Sequence, residues 1–287
     1  MMTLPKATAL ILTLSALAAC GGGVGGGGGT NPTPDYVNFS NGSSAVNSEL
    51  EGRILIVGAT DAEIRAMTGV LRHSTRALTN LTDGGTNSLS DPGRDESGTW
   101  MDGTITFEPL ENQSGNFDFA AFYRLIAPTD SGVVIIGVAT DAIDVPTANT
   151  TAGGVTYNGT AFVDGSTDPG GAGQSLSATG NSTVLVDFEG NSANLTIDSV
   201  SGVPYTAIMI DGMVFDAGDR SAFSGGTLTI MDGATNVTTV LLGNGVTSTA
   251  AGDFFGINGI GNPDEVGGLF EGSGDGTGEI FGGFIAD

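Results

Sequence analysis

Apolar and polar positions change period several times along the chain, and each period predicts a different element. Arg53 to Val57 reads as a short strand. Ile64, Met67, Val70 and Leu71 then recur at helical spacing, and Thr60 with Glu63 three residues on has the form of a capping box. These predict one helix from Asp61 to about His73. Leu78 to Gly98 is polar and broken by Gly84, Gly85, Pro92 and Gly93, which predicts a loop. Thr99 to Glu108 alternates, with Met101, Ile105 and Phe107 on one face. Phe117, Phe119, Ala121, Tyr123 and Leu125 alternate in the next segment, and Val133 to Val138 is continuously apolar, as a strand covered on both faces should be.

Beyond Pro146 the pattern becomes uniform. Candidate strands are Val155 to Asp164, Thr183 to Glu189, Asn194 to Val200, Tyr205 to Phe215, Thr227 to Met231, Thr238 to Leu242, Asp253 to Ile257, Glu265 to Glu271 and Glu279 to Ala286. Turn residues separate them, among them Glu189-Gly190-Asn191 and Asp232-Gly233, so an antiparallel barrel or sandwich is expected. Glycines inside the strands, at Gly159, Gly267, Gly268, Gly282 and Gly283, favour the barrel, because they permit sharp coiling while Phe270, Phe281 and Phe284 cover the bared backbone. The strands are too short and interrupted for a membrane-spanning porin, which needs about 9 to 11 residues per strand. A soluble barrel is expected.

The first 35 residues have another character. Lys6, the apolar run Ala7 to Leu17 and the small residues Ala18 and Ala19 lead to Cys20, which together read as a bacterial lipoprotein signal and cleavage site. The apolar run is well short of the roughly 20 residues that span a bilayer as a helix. Lipid on Cys20 would be the anchor, and acyl chains contribute roughly 0.8 kcal/mol per buried CH₂. Cys20 is the single cysteine, so no intrachain disulfide can form. Gly21, where an aspartate would favour the inner membrane, points to the outer membrane. Cys20 to about Asp35 is glycine-rich and reads as a flexible tether. The expected organisation is a signal peptide at 1–19, a lipidated tether at 20–35, a β-rich domain with the short helix at 36–148, and a barrel at 149–287.

Composition changes this picture in two ways. Glycine supplies 49 of 287 residues, far above the usual ~7%, and with frequent Thr and Val it suits many short strands and tight turns. Formal charge is -24 at pH 7, and the sole lysine, Lys6, lies in the expected signal peptide. Such a field repels nucleic acid and anionic lipid, so neither is an expected partner. It serves solubility or attraction to a basic partner, and composition does not separate the two.

Little enzyme chemistry is available. His73 is the one histidine, and no Gly-x-Ser-x-Gly stretch offers a nucleophile. No enzyme activity, cofactor or resident metal is expected. His73 has the chemistry to ligate haem iron, as do Tyr36, Tyr123, Tyr157 and Tyr205, although a histidine closing a helix is also explained by the favourable partial charge there. Gly274-Asp275-Gly276 has the look of a calcium-binding repeat but occurs once, between two strands, where Asp-Gly is an ordinary hairpin turn.

The run Asp253-Phe254-Phe255-Gly256, then Asp264-Glu265-Val266-Gly267-Gly268-Leu269-Phe270, then Ile280-Phe281-Gly282-Gly283-Phe284, resembles the end of the barrel domain in transferrin-binding protein B-like lipoproteins. Asp144-Val145-Pro146-Thr147 with Val155-Thr156-Tyr157-Asn158-Gly159-Thr160-Ala161 looks like the family's lead into the barrel, and Val184-Leu185-Val186-Asp187-Phe188 like its second strand. The resemblance covers roughly Ala142 to Asp287, and Ile257 to Gly261 departs from it as a longer connection. It implies an eight-stranded barrel beside a handle domain on a surface-exposed outer-membrane lipoprotein. It further implies an extracellular ligand, an iron- or haem-carrying protein, held by barrel and handle loops for a cognate outer-membrane transporter. No ligand-contacting residue carries over. The alternatives are a structural or adhesive envelope lipoprotein, and a periplasm-facing barrel carrying a small apolar ligand.

Overall fold

Among the described residues, two antiparallel sheets, each of nine strands, account for nearly all the regular structure. The computed structural model describes residues 48–57, 62–72, 77–82, 88–89, 93–94, 100–101, 106–110, 117, 119–126, 131–148, 152–167, 174–256, 262–276 and 278–287. Cys20, the tether, Tyr36, His73 and Ile257 to Gly261 lie outside these residues.

The first sheet comprises β1 (Ser48–Val57), β2 (Ala62–Arg72), β3 (Ala77–Thr82), β4 (Ser88–Leu89), β5 (Gly93–Arg94), β6 (Trp100–Met101), β7 (Thr106–Pro109), β8 (Ala120–Ile126) and β9 (Ser131–Gly137), in the order β4-β3-β2-β1-β9-β8-β7-β6-β5. The helix expected over Asp61 to His73 is instead the strand β2. Its apolar spacing is compatible with either element, and ten residue pairs with β1 plus pairing to β3 outweigh the local helical signal. The polar stretch expected as a loop supplies β3, β4 and β5, because Ala77–Thr82 pairs with β2 despite carrying little apolar pattern. Continuous burial of Val133 to Ile136 follows from the place of β9 between β1 and β8 with both faces covered.

The second sheet comprises β10 (Val155–Thr167), β11 (Gln174–Asp187), β12 (Ser192–Asp198), β13 (Ala207–Asp216), β14 (Asp219–Asp232), β15 (Thr235–Asn236), β16 (Thr247–Phe255), β17 (Glu265–Ser273) and β18 (Glu279–Ala286). Pairing of β13 with β14 closes β10, β11, β12, β13, β14, β16, β17 and β18 into an eight-stranded antiparallel barrel. Closure needs local bends. At β13 the register slips against β12, and Gly212, with φ +76°, donates its N–H to Asn194 Oδ1 at 2.8 Å; glycine adopts this left-handed bulge without a Cβ clash.

The barrel is apolar inside and polar where it meets water, the reverse of a membrane barrel. Along β11, Leu176, Ala178, Val184 and Val186 are buried while Ser175, Ser177 and Thr179 between them are exposed. Phe223, Phe254, Phe270 and Phe284 fill the interior at 0% exposure. The rings of Phe270 and Phe284 lie against Gly282 and Gly268, 2.8 to 2.9 Å from where a Cβ would stand, as aromatic cover of barrel glycines requires. Phe281 differs: it points outward into the contact with the first sheet.

Both barrel ends are stoppered. At one end the incoming linker inserts Val145, which is 3% exposed and part of the barrel core. At the other sits α1 (Thr238–Leu242), the single helix among the described residues. This segment was expected as a strand. Its buried positions are Thr238, Leu241 and Leu242 while Val240 is 62% exposed, a one-turn helical spacing that a five-residue apolar run cannot reveal by alternation.

Candidate binding site

The outward face of β16, β17, β18 and β10 meets the first sheet, and the residues there decide how the two halves sit. Phe162, Phe255, Leu269, Phe281 and Ile285 from the barrel pack against Leu55, Phe119, Phe122, Val133 and Ile135. Both sheets belong to one compact unit. Gly283 lets Phe122 approach: a Cβ there would stand 2.7 Å from the Phe122 ring and from Leu269 Cδ2.

Acids on the barrel and donors on the first sheet complete this seam. Asp253 on β16 takes a bidentate pair from Arg53 on β1, Nε to Oδ2 at 2.9 Å and an Nη to Oδ1 at 2.8 Å. Glu265 on β17, 3% exposed, accepts the backbone N–H of Ala120 at 2.9 Å and that of Phe119 at 3.1 Å. Arg124 on β8 reaches Asp164 on β10 at 3.2 Å and lies over the Phe162 ring. Burial raises the Asp164 carboxyl above its ordinary value, while the Gly165 N–H and Arg124 pull it back. Desolvation also pushes Asp253 up, to about 6, against the lowering effect of Arg53, and the charges of Asp219 and Glu51 add to the rise. Burial raises Glu279 as well.

Beside the Arg53–Asp253 pair opens a cleft of about 420 Å³, lined by Glu51, the linker from Val138 to Ala142, and Gly218, Asp219 and Ser221 at the β13–β14 turn. Three carboxylates, Glu51, Asp141 and Asp219, line it. The linker floor is fixed by Thr140, whose N–H donates to the Phe254 carbonyl and whose Oγ1 donates to the Gly256 carbonyl, both at 2.9 Å. Chemically the cleft suits a cationic group.

Arg220 is the sole basic residue after Arg124 in the sequence, and its guanidinium is engaged at the barrel mouth. Its guanidinium donates to the carbonyls of Pro146 at 2.6 Å and Phe188 at 3.0 Å and to the Asn191 side chain, and it lies over the Phe215 ring. It holds the linker across the barrel mouth. After Arg124 the charged groups are otherwise all acids. This signal was visible in the sequence as one arginine in an otherwise acid-only half, whereas Arg53 with Asp253 and the Glu265 acceptor join residues far apart in sequence and had none.

Of the residues singled out for haem, Tyr123, Tyr157 and Tyr205 are described, and all three are buried. Tyr157 is 3% exposed and donates to the Pro263 carbonyl at 3.0 Å, Tyr205 is 2% exposed within the barrel core, and Tyr123 is 6% exposed on β8. Burial raises both Tyr157 and Tyr205 further above their ordinary range, so neither offers a phenolate. Asp275, in the suspected calcium turn, accepts the Asn244 N–H with its carboxylate and donates its own N–H to the Asn244 carbonyl at 2.8 Å, an ordinary loop clasp. Among the described residues no group of three or more His, Cys, Asp or Glu is arranged to hold a metal.

No family model and no curated protein matches the chain. Solved structures do. A variant of transferrin binding protein B from Haemophilus parasuis Hp5, described as a vaccine antigen, aligns over 82% of this chain and 44% of its own with a TM-score of 0.52 and 16% identity. The isotype 1 transferrin binding protein B from serogroup B Neisseria meningitidis aligns over 82% of this chain and 43% of its own, with a TM-score of 0.50 and 18% identity. The haemoglobin receptor HpuA from Kingella denitrificans covers 88% of this chain and 90% of its own at a TM-score of 0.39 and 15% identity, too distant in shape to carry an argument. The chain thus spans less than half the length of the transferrin binding proteins it matches, and what it shares with them is the fold, a closed barrel packed against a second antiparallel sheet.

Proposed function

We propose that this chain is an outer-membrane lipoprotein, anchored through lipid on Cys20 and facing the cell exterior, that captures an extracellular protein partner. In this reading residues 36–148 act as the handle and 149–287 as the barrel, and the partner is an iron- or haem-carrying protein passed to an outer-membrane transporter. The function is binding and not catalysis.

One observation argues against the small-ligand carrier: the barrel is filled by its own phenylalanines and stoppered by Val145 and by Leu241 and Leu242. A carrier of a small apolar ligand keeps its interior open. Here the outer surface and the barrel-end loops are what remains for recognition, and with Arg220 the sole basic residue beyond Arg124 the acidic excess favours a basic partner face. The transferrin binding proteins that share the fold support the class of partner.

Protease digestion of intact cells, compared with cells whose outer membrane is permeabilised, tests orientation; digestion of intact cells is the expected result. Immobilised protein is then offered holo-transferrin and haemoglobin across a salt series. Capture that weakens as salt rises supports the reading. Surface exposure with no capture of either favours a structural or adhesive role, and protection until permeabilisation removes the extracellular partner altogether.

A further inference from the structure

Asparagine is a chemically labile residue, and most so before glycine, where no side chain obstructs the approach of its amide to the next main-chain nitrogen. The pair occurs four times in this sequence, at Asn41-Gly42, Asn158-Gly159, Asn244-Gly245 and Asn258-Gly259, and the second and third lie among the described residues. The fold treats those two differently.

Asn158 and Gly159 sit inside β10. The Asn158 N–H donates to the Asp287 carbonyl at 2.9 Å, its carbonyl accepts the Asp287 N–H at 3.1 Å, and its Oδ1 accepts the Thr183 hydroxyl at 3.4 Å. Gly159 is paired on both sides, with Ser182 on β11 and Ala286 on β18, and even a Cβ there would run into the Ile285 carbonyl. Turning the Gly159 nitrogen onto the Asn158 amide would require opening the ladder.

Asn244 and Gly245 lie on the exposed turn between α1 and β16. Gly245 has φ +62°, and beyond its chain neighbours nothing comes within 4 Å of where its Cβ would stand. Among the described residues neither the Gly245 N–H nor the Asn244 side chain has a hydrogen-bond partner. Asn244 is held by its main chain instead: its N–H donates to Asp275 Oδ1 at 2.5 Å and its carbonyl accepts the Asp275 N–H at 2.8 Å. Both reacting groups are therefore free on a turn whose preceding main chain is fixed.

We propose that Asn244 is a site of spontaneous covalent modification, closing onto Gly245 as a succinimide and opening to aspartate and isoaspartate, while Asn158 is spared. The Gly245 nitrogen attacks Asn244 Cγ; that C–N bond forms, the bond from Cγ to the side-chain nitrogen breaks, and ammonia leaves with the proton lost from Gly245. Water then adds to one imide carbonyl. Attack at Cγ gives aspartate, and attack at the main-chain carbonyl gives isoaspartate. Nothing is oxidised or reduced. Either product sets a new carboxylate beside Asp275, whose own carboxylate already holds the residue 244 N–H. In isoaspartate the carbonyl that accepted the Asp275 N–H becomes that carboxylate. The clasp between this turn and the β17–β18 turn weakens irreversibly, and the neighbouring bond from the Gly276 N–H to the Leu242 carbonyl, at 3.3 Å, shares the loss.

The test ages the full chain in warm, mildly alkaline buffer, digests it with pepsin in acid, and weighs the peptides, with isoaspartate counted by an isoaspartyl methyltransferase. The peptide carrying Asn244 should convert severalfold faster than the one carrying Asn158, and Gly245→Ala should slow that conversion severalfold. In the aged protein, hydrogen exchange should rise at residues 244, 275 and 276 while β11 and β12 keep their protection. Asn244 that stays intact while a free peptide of Leu242 to Thr247 converts overturns the site, as does Asn158 converting equally fast. That comparison lies within one molecule, so it decides the matter if Gly245→Ala fails to fold. Conversion with unchanged exchange at the three amides overturns the weakening of the clasp.

Discussion

The barrel and the first sheet face the same hazard, unpaired strand edges, and meet it differently. The barrel removes its edges by pairing β13 with β14 over nine residue pairs. Among the described residues the first sheet stays open, ending in the two-residue strands β4 and β5, and brings β3 and β5 near each other as it curls. Their cores differ accordingly. Barrel strands bury one side on their own interior, while the centre of the first sheet borrows cover from outside: Leu55, Val133 and Ile135 lie against the barrel, and Leu50, Ile54 and Met67 fill its other face. A closed barrel can specify itself, whereas the open sheet depends on its seam.

That asymmetry can be broken most severely from within the barrel. Phe284, 0% exposed, touches the interior cluster and covers Gly268. Phe284→Ala should cost about 4 kcal/mol in chemical denaturation, since the cavity is enclosed and cannot collapse. Both sheets should unfold together, because the barrel supports the seam. A barrel that unfolds while the first sheet keeps its protection would mean that the sheet does not depend on it.

Attack at the seam should cost less and separate the two halves. Gly283→Leu drives a side chain into Phe122 and Leu269, which leave no room even for a Cβ. A destabilisation of about 2–3 kcal/mol is expected from overpacking, with hydrogen exchange rising in β8 and β9 while β11 to β13 keep their protection. Glu265→Gln is milder. The amide retains an oxygen for one N–H but turns a donor toward the other, at a cost of about 2 kcal/mol for a buried amide left unpaired. Its effect should concentrate at Phe119 and Ala120, whose N–H groups Glu265 accepts.

The same asymmetry explains which parts were legible in the sequence. β18 was expected over the residues it occupies, Glu279 to Ala286, and β17 began where expected, because glycine and aromatic residues announce a barrel strand locally. The doubly apolar character of these strands has its reason in the seam: Phe281 and Ile285 face the first sheet while Ile280 and Phe284 face the interior. Where the decisive partner lay outside the segment, the reading failed. β2 became a strand because β1 was beside it, and Thr238–Leu242 became a helix because a barrel end needed Leu241 and Leu242. Arg53 and Asp253 carry no mark at all until the chain brings them together across 200 positions.

The smallest expected effect tests the barrel face that the first sheet leaves open. Leu185 on β11 is 38% exposed and Val214 on β13 is 56% exposed, both on a side otherwise formed by residues such as Asn194, Thr196 and Asp211. Neither contributes to the interior, so Leu185→Ser and Val214→Thr should each change stability by no more than about 0.5 kcal/mol. Equal-sized losses at Phe162 or Leu269, on the covered side, would be expected to unseat the first sheet. If the open face is where a partner docks, the two substitutions should lower capture of that partner while leaving the denaturation midpoint in place. Capture unchanged by both would move recognition to the barrel-end loops and the cleft beside Arg53. A large loss of stability would instead reveal that this face is covered too, by a part of the chain that the barrel alone does not account for.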